Sequence, residues 1–520
     1  MTEDAAQPLR RRVLVNTAAT GLGNGWAMVV AFVQLPILLG GLGPAAFGTW
    51  VLLLTFSATT GWVALADLGL SVSTTRSVAE RLAVDDRRGM SVAATSGLAL
   101  LVSSGVACAV LLATVGRRVL PVVFDTPPGL QDDLQFAIVA FSVQIVADLA
   151  TSACTSGLEG LQRVDLSRSV DAARRTAVAL ATCTVALAGG GLRGVALASM
   201  VASILGALVA VVVLRWQLPA RWHRPQVAAA RELLRYGRSI AVLRPYSAIT
   251  RTMDRLLVGI IVGPSAVALV EIATQIQNGV EAVLSASSYA VTPSASWLHA
   301  RDDRGTLRDL LVTGTRYSML ATLPLAVGGA VLAGPFVHLW VGSEYAAAAT
   351  MAALGLGYIA VSAPVQVGSN LLLGTGRAGP VVRAAGLAVA VNLVASIVLV
   401  RLIGPNGAFI GSILGALALA VPLARGFLTV IDTTWAEFRD AALRPALLPS
   451  AALGLVALTV VAAPLGDVAT LLLGGGLGAA AYLAVAMQWS GLGQDLAHVR
   501  AAFRRAPAAT GAGQPSSISF

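Results

Sequence analysis

Apolar runs of roughly 20 residues recur along the chain, parted by short polar stretches in which arginine predominates. A helix rises about 1.5 Å per residue and a bilayer core is about 30 Å thick, so each run is long enough to cross it. The pattern predicts about fourteen transmembrane helices. They lie near 14–40, 45–70, 90–116, 134–157, 170–190, 194–214, 236–262, 265–296, 311–333, 347–372, 381–403, 408–431, 446–464 and 468–489. Arginine placement orients them, because cytoplasmic loops hold the basic excess. With the N-terminus inside, inner segments include Arg10, Arg11, Arg12, Arg87, Arg88, Arg301, Arg304, Arg500 and Arg504, whereas outer loops hold only Arg117, Arg118, Arg193 and Arg401. Both termini are therefore expected in the cytoplasm, and the fold class is an all-α polytopic membrane protein.

Composition agrees and narrows the function. The 520 residues are 56% hydrophobic and 12% charged, with a mean hydropathy of +0.78, against about 25% charged in an ordinary soluble domain. The formal charge of +10 does not indicate a nucleic-acid partner, because the basic residues sit in short loops and not in a patch with interleaved aromatics. There is no lysine, which excludes a Walker A loop. Cys108, Cys154 and Cys183 lie far apart within apolar runs and read as small buried hydrophobes. The histidines show no metal-ligand spacing, so no metal or cofactor is expected. MTEDAAQPLRRR leads into the first run without a small-residue cleavage site, which predicts a retained helix.

The longest polar insertion, 215–239, divides the chain into an N-terminal six-helix lobe (1–214) and a C-terminal one (236–431) joined by a basic cytoplasmic linker (215–235). Two additional helices (446–489) and a small, polar tail (490–520), expected to be disordered, follow. GLGPAAFGTW (41–50) followed by DDRRG (85–89) parallels IVGPSAVALV (261–270) followed by DDRG (302–305). Each Gly-Pro is an outer turn and each DDR an inner loop. Both halves begin inside, so the pattern predicts a parallel pseudo-repeat, an arrangement in which transporters place substrate between the halves.

FGTWVLLLTFSATTGWVALADLGLSVSTTRSVAE (47–80), with LADLGL at the end of the second predicted helix, is followed in order by DRLLVGIIVGPSAVALVEIATQIQ (254–277), HLWVGSEYAAAATMAALGLG (338–357) and LLLGTGRAGP (371–380). In order and spacing these segments, over roughly residues 10–430, resemble the polysaccharide transporter family of the MOP (multidrug/oligosaccharidyl-lipid/polysaccharide) flippase superfamily, which includes the O-antigen flippases. The resemblance implies two six-helix lobes forming a V around a central cavity, plus two C-terminal helices. It implies a substrate built as an oligosaccharide on a polyprenyl pyrophosphate, flipped from the inner to the outer leaflet of the plasma (inner) membrane. Glycan polymerase and glycosyltransferases are the partners it suggests, and coupling to H+ or Na+ is usual for the superfamily.

The segment RPYSAITRTMDRLLVGIIVG (244–263) carries the candidate site. Arg244, Arg251 and Arg255 fall in a stripe about 40° wide on a helix, with Asp254 about 80° away. Counted from Gly263, Arg255 lies about 12 Å deep, Arg251 about 18 Å and Arg244 about 28 Å. An arginine near the midplane costs about 2.5–3.5 kcal/mol, so Arg251 needs a reason to be there. The following helix offers Glu271, Gln275 and Asn278 on one face, with Glu281 close by, at depths of about 9–24 Å. Two readings stand open: a salt-bridge ladder between the helices, or a cavity stripe holding the lipid pyrophosphate, for which the planar arginine fork is suited.

Other intramembrane polar groups, Asn16, Asn24, Asp67, Gln144, Asp148, Arg316, Gln366 and Asn370, read as contacts between helices, with Asn24 also a cavity candidate. Gly21 and Gly25 predict close helix packing, Pro245 and Pro364 kinks, Trp340 and Tyr345 an outer aromatic belt, and Trp216 and Trp222 an inner one. A cation-coupled multidrug antiporter of the same superfamily would expose Glu271, Glu281 and Asp148 to a cationic substrate, against the positive sign of this stripe. A membrane-embedded glycosyltransferase or polymerase would need a large outer loop or soluble catalytic acids, and no outer loop exceeds about 20 residues. The preferred reading is a flippase and not an enzyme.

Overall fold

The computed structural model describes residues 3–58, 61–219, 222–241, 244–288, 291–301 and 303–489; the side chains of 3–20, 22, 24, 239–248 and 251 are outside that description. The described residues form helices and the turns between them, with no strand among them. The order is α1 (Glu3–Leu54), α2 (Leu70–Ala83), α3 (Arg87–Leu111), α4 (Arg117–Val123), α5 (Gln131–Gly160), α6 (Val164–Leu187), α7 (Gly191–Gln217), α8 (Val227–Ala241), α9 (Arg244–Ile261) and α10 (Pro264–Ser288). Then come α11 (Val291–Ala300), α12 (Arg304–Val331), α13 (Ala333–Trp340), α14 (Ala347–Gly374), α15 (Ala378–Ile403), α16 (Asn406–Ile431), α17 (Trp435–Phe438), α18 (Arg444–Val461) and α19 (Asp467–Trp489). Among the described residues, 10 helical runs are long and apolar enough to cross a membrane. α6 covers the expected span near 170–190, and α8 with α9 and α10 with α11 cover the described residues of those near 236–262 and 265–296. The chain is a multi-pass membrane protein.

Local chemistry explains where the helices turn. Gly43, Gly263 and Gly404 have φ of 74°, 111° and 71°, and each precedes a proline. A glycine takes the left-handed residue that ends one helix, and proline, which lacks an N–H, starts the next without loss. The matched DDR loops also agree in detail. Asp86 accepts from the Gly89 N–H at 2.8 Å to cap α3, and Asp303 accepts from the Thr306 N–H at 3.0 Å to cap α12. Each motif thus caps the start of a long helix.

The second expected span is not one helix ending in LADLGL. α1 bends at Gly43 and stops at Leu54, a 3-10 turn covers Trp62–Asp67, and α2 begins only at Leu70. Leu68 and Gly69 are both left-handed, with φ of 47° and 73°. Backbone broken at membrane depth survives only if protein satisfies its polar groups. Here Trp62 N–H donates to Thr55 O at 2.9 Å, Ser104 Oγ donates to Ala66 O at 2.6 Å, and Asp67 accepts from both the N–H and the hydroxyl of Ser71 at 2.8 and 2.9 Å. Asp67 is therefore a helix cap.

The helices fall into two compact units. The first contains Met1–Gly279, Val337–Tyr358 and Arg383–Leu419. Its interior includes Val78, Met90, Ala93, Cys154, Leu158 and Leu214, from α2, α3, α5 and α7; Cys154 is buried and free, as expected, whereas Cys108 and Cys183 are only half-buried. A Cβ on Gly48 would lie 1.8 Å from the Pro264 carbonyl oxygen, so α1 meets the start of α10 backbone to backbone. Trp340 of α13 packs on α1. Its indole donates to Phe32 O at 3.0 Å, and the two rings are 5.0 Å apart. Among the described residues, a Cβ on Gly21 or Gly25 would meet nothing within 4 Å.

The second unit contains Val280–Phe336, Ile359–Val382 and Ala420–Phe520. α12 packs on α18, and α18 on α19. Tyr482 donates its hydroxyl to Leu320 O at 2.6 Å, Asn370 donates to Ser288 O at 3.1 Å, and Arg308 pairs with Glu437 at 3.3 Å. Asn370 is thus a contact between helices. Pro364 lies inside α14.

Candidate functional site

Two successive residues of α9 lead to two different partners, because one step along a helix turns a side chain by about 100°. Arg255 Nε pairs with Glu271 Oε2 of α10 at 2.5 Å, their side chains 19% and 18% exposed. Asp254 turns toward α16, where its Oδ2 accepts from Ser412 Oγ at 3.1 Å. The depths read from the sequence, about 12 Å for Arg255 and 9 Å for Glu271, put these two on a level, and the structure brings them together. A pair this desolvated is costly to break from one side only, about 3–5 kcal/mol.

Asp254 ends an oriented polar chain. Ser396 donates to Asn392 Oδ1 at 2.9 Å, Asn392 Nδ2 donates to Ser412 Oγ at 3.1 Å, and Ser412 donates to Asp254. At the end of that chain Asp254 Oδ1 is buried with no hydrogen-bond partner. Asn392 and Ser412 of that chain also line a cavity of about 50 Å³, together with Thr250, Met253, Tyr358 and Leu419 among others. A bare carboxylate oxygen in apolar surroundings is stabilised by a proton or a cation. Among the described residues, no cluster of three or more His, Cys, Asp and Glu side chains could hold a metal ion.

The other predicted residues are distributed as follows. Gln275 is buried, Asn278 exposed and Glu281 half-buried. Arg244, Arg251 and Asn24 have side chains outside the described residues. α9 packs against the 3-10 turn Trp62–Asp67, and Gly259 gives room to Leu52, to which a Cβ would come within 2.5 Å. The charged helix therefore lies beside the broken segment that contains LADLGL, an adjacency no spacing along the chain could reveal. Sequence reasoning also missed Asn392, Ser396 and Ser412. Their only signal is the i, i+4 pair Asn392 and Ser396 in an otherwise apolar helix.

A second buried cluster lies in α5, α6 and α7. Arg174 Nη1 pairs with Asp148 Oδ1 at 2.8 Å, their side chains 10% and 8% exposed. Gln144 donates to Asp148 at 3.4 Å and accepts from Ser199 Oγ at 2.8 Å. Asp148 is enclosed by this network and is not presented to a cationic substrate.

Residues 42–350 match the model of a family described as "Polysaccharide biosynthesis protein". No curated protein sequence matches the chain. Solved structures with the same fold include the lipid II flippase MurJ in an inward closed conformation, at 12% identity and a TM-score of 0.71 over 93% of this chain and 99% of that one. A multidrug resistance MATE family transporter of the MOP superfamily, inward-facing, aligns at 16% identity and a TM-score of 0.64 over 78% of this chain and 94% of that one. A MOP superfamily transporter from Pyrococcus furiosus, described as having a binding pocket of reverse polarity, aligns at 16% identity and a TM-score of 0.53 over 81% and 97%. The family model spans more than half of the chain, and the solved structures share its fold: the chain belongs to the polysaccharide biosynthesis protein family.

Proposed function

We propose that the protein is a flippase that moves a polyprenyl-pyrophosphate-linked oligosaccharide from the inner to the outer leaflet of the plasma membrane, for cell-surface polysaccharide biosynthesis. The N-terminal lobe (1–214) and C-terminal lobe (236–431) alternate access, and both termini are cytoplasmic. Glycosyltransferases supply the substrate and a glycan polymerase consumes it. No bond is made or broken, so no catalytic residue is required.

The observation that carries this reading is the Arg255–Glu271 pair, on a helix packed against the 3-10 turn Trp62–Asp67. A permanently charged guanidinium at membrane depth needs a counter-ion at every stage. Glu271 serves while the site is empty, and a diphosphate oxygen replaces it when substrate arrives, with Arg251 on the same stripe. As the diphosphate leaves, the carboxylate returns. Coupling to H+ or Na+ enters at the unpartnered oxygen of Asp254.

Arg255→Ala and Arg251→Ala should each abolish glycan export, measured by surface polysaccharide, while the protein stays in the membrane. The double variant Arg255→Ala/Glu271→Ala separates substrate contact from a structural bridge. Removing both charges relieves the uncompensated carboxylate, so thermal stability should recover while export does not. Export at the wild-type level in the double variant would reduce the pair to a contact between helices.

A further inference from the structure

Between α2 and α8 lies a pocket of about 260 Å³, to which Arg76, Ser77 and Glu80 contribute from α2, and Glu232, Arg235 and Tyr236 from α8. Its walls are held by charge pairs. Arg76 Nε meets Glu80 Oε1 at 2.7 Å, Arg81 Nη2 meets Glu232 Oε2 at 3.0 Å, and the Arg76 guanidinium lies 4.2 Å over the Tyr236 ring. These arginines and glutamates offset one another. Arg235 is exposed and has no carboxylate partner among the described residues.

That distribution selects a ligand. The one unneutralised cation, Arg235, calls for one anionic group. The paired walls call for something else, because each carboxylate retains a second acceptor oxygen and each guanidinium has further N–H donors. A group that both donates and accepts, such as a hydroxyl, satisfies both kinds. A bare polyanion would face Glu80 and Glu232 with nothing to donate, and a cation would face Arg76, Arg81 and Arg235. We propose that this pocket holds a phosphate-linked polyol, its phosphate on Arg235 and its hydroxyls on Glu80, Glu232 and Ser77. The orientation proposed above places the pocket at the inner side, so the assignment rests on that reading for its access to the inner leaflet. Two molecules there share the chemistry, the diphosphate-linked sugar of the substrate and the phosphoglycerol head of phosphatidylglycerol.

The test uses the purified full chain in phosphatidylcholine nanodiscs, with bound probe counted by native mass spectrometry. The probes are phosphatidylglycerol, a short-chain prenyl diphosphate carrying one N-acetylglucosamine, and the same prenyl diphosphate without sugar. Because the diphosphates also meet the Arg255 site, the probes are counted on an Arg255→Ala background, where at least one polyol probe should bind one to one and more tightly than the sugar-free diphosphate. Arg235→Gln should weaken that binding about tenfold or more, the factor for one charge-assisted hydrogen bond. Arg238→Gln, on the same helix outside the pocket, should not weaken it and controls for folding. Binding confined to phosphatidylglycerol supports the pocket as a lipid head-group site. Binding confined to the sugar probe, with reduced export by Arg235→Gln, supports it as the substrate's first contact. Equal binding with and without Arg235→Gln, or preference for the sugar-free diphosphate, overturns the proposal. Either result leaves the flippase reading to its own test, export by the Arg255 variants.

Discussion

Asp254 shows what a single residue can disclose and what it conceals. In the sequence it is an acid beside an arginine, readily taken for that arginine's counter-ion. In three dimensions Arg255 is paired with Glu271, while Asp254 ends a chain of three polar side chains from α15 and α16. The levels of the first pairing were legible because Arg255 and Glu271 flank one tight turn and helix rise fixes depth, although depth alone left open which arginine of the stripe Glu271 would meet. The second was not, because it joins residues 158 apart in the chain, and nothing in an apolar helix announces which neighbour its asparagine will meet. Asp254→Asn replaces the charge with a neutral amide of the same shape. Export by reconstituted protein should then no longer respond to an imposed proton or sodium gradient, while substrate binding persists. A gradient response equal to wild type would remove Asp254 from the coupling.

At the scale of elements, the broken second helix is the chief departure from the periodic pattern. Hydropathy sees apolar residues from 45 to 70 and predicts a continuous span; it is blind to the left-handed pair Leu68 and Gly69 and to the cap supplied by Asp67. The break has a packing partner. A Cβ on Gly69 would lie 2.4 Å from the Gly237 carbonyl oxygen, and one on Gly237 would lie 2.6 Å from Leu68 O. The kink and α8 therefore fit only because neither glycine has a side chain. Gly69→Ala adds both left-handed strain and a clash, and should cost about 1–3 kcal/mol, read as a lower unfolding temperature in detergent. Gly129→Ala, where a Cβ meets nothing within 4 Å, should leave the midpoint unchanged. The DDR loops tell the opposite story. Their repetition was visible in the sequence, and the structure gives the reason, since an aspartate cap fixes the start of a helix wherever it recurs.

For the whole molecule, composition and run length were enough to establish a polytopic helical protein, because a bilayer leaves the backbone few alternatives. Arginine asymmetry carries the orientation. It is tested by single cysteines placed on a background in which Cys108, Cys154 and Cys183 are serine. A cysteine at Asp85 or Asp303 should resist a membrane-impermeant maleimide in intact cells and react after permeabilisation, whereas one at Gly190 or Gly466 should react at once. Reversed labelling would invert the protein and with it the direction of flipping.

The meeting of Gly48 with Pro264 has one more implication. Carbonyl oxygen there faces bare Cα, so the two backbones approach as closely as helices can, and a single methyl group has nowhere to go. One carbon atom added at Gly48 would wedge α1 away from the first turn of α10.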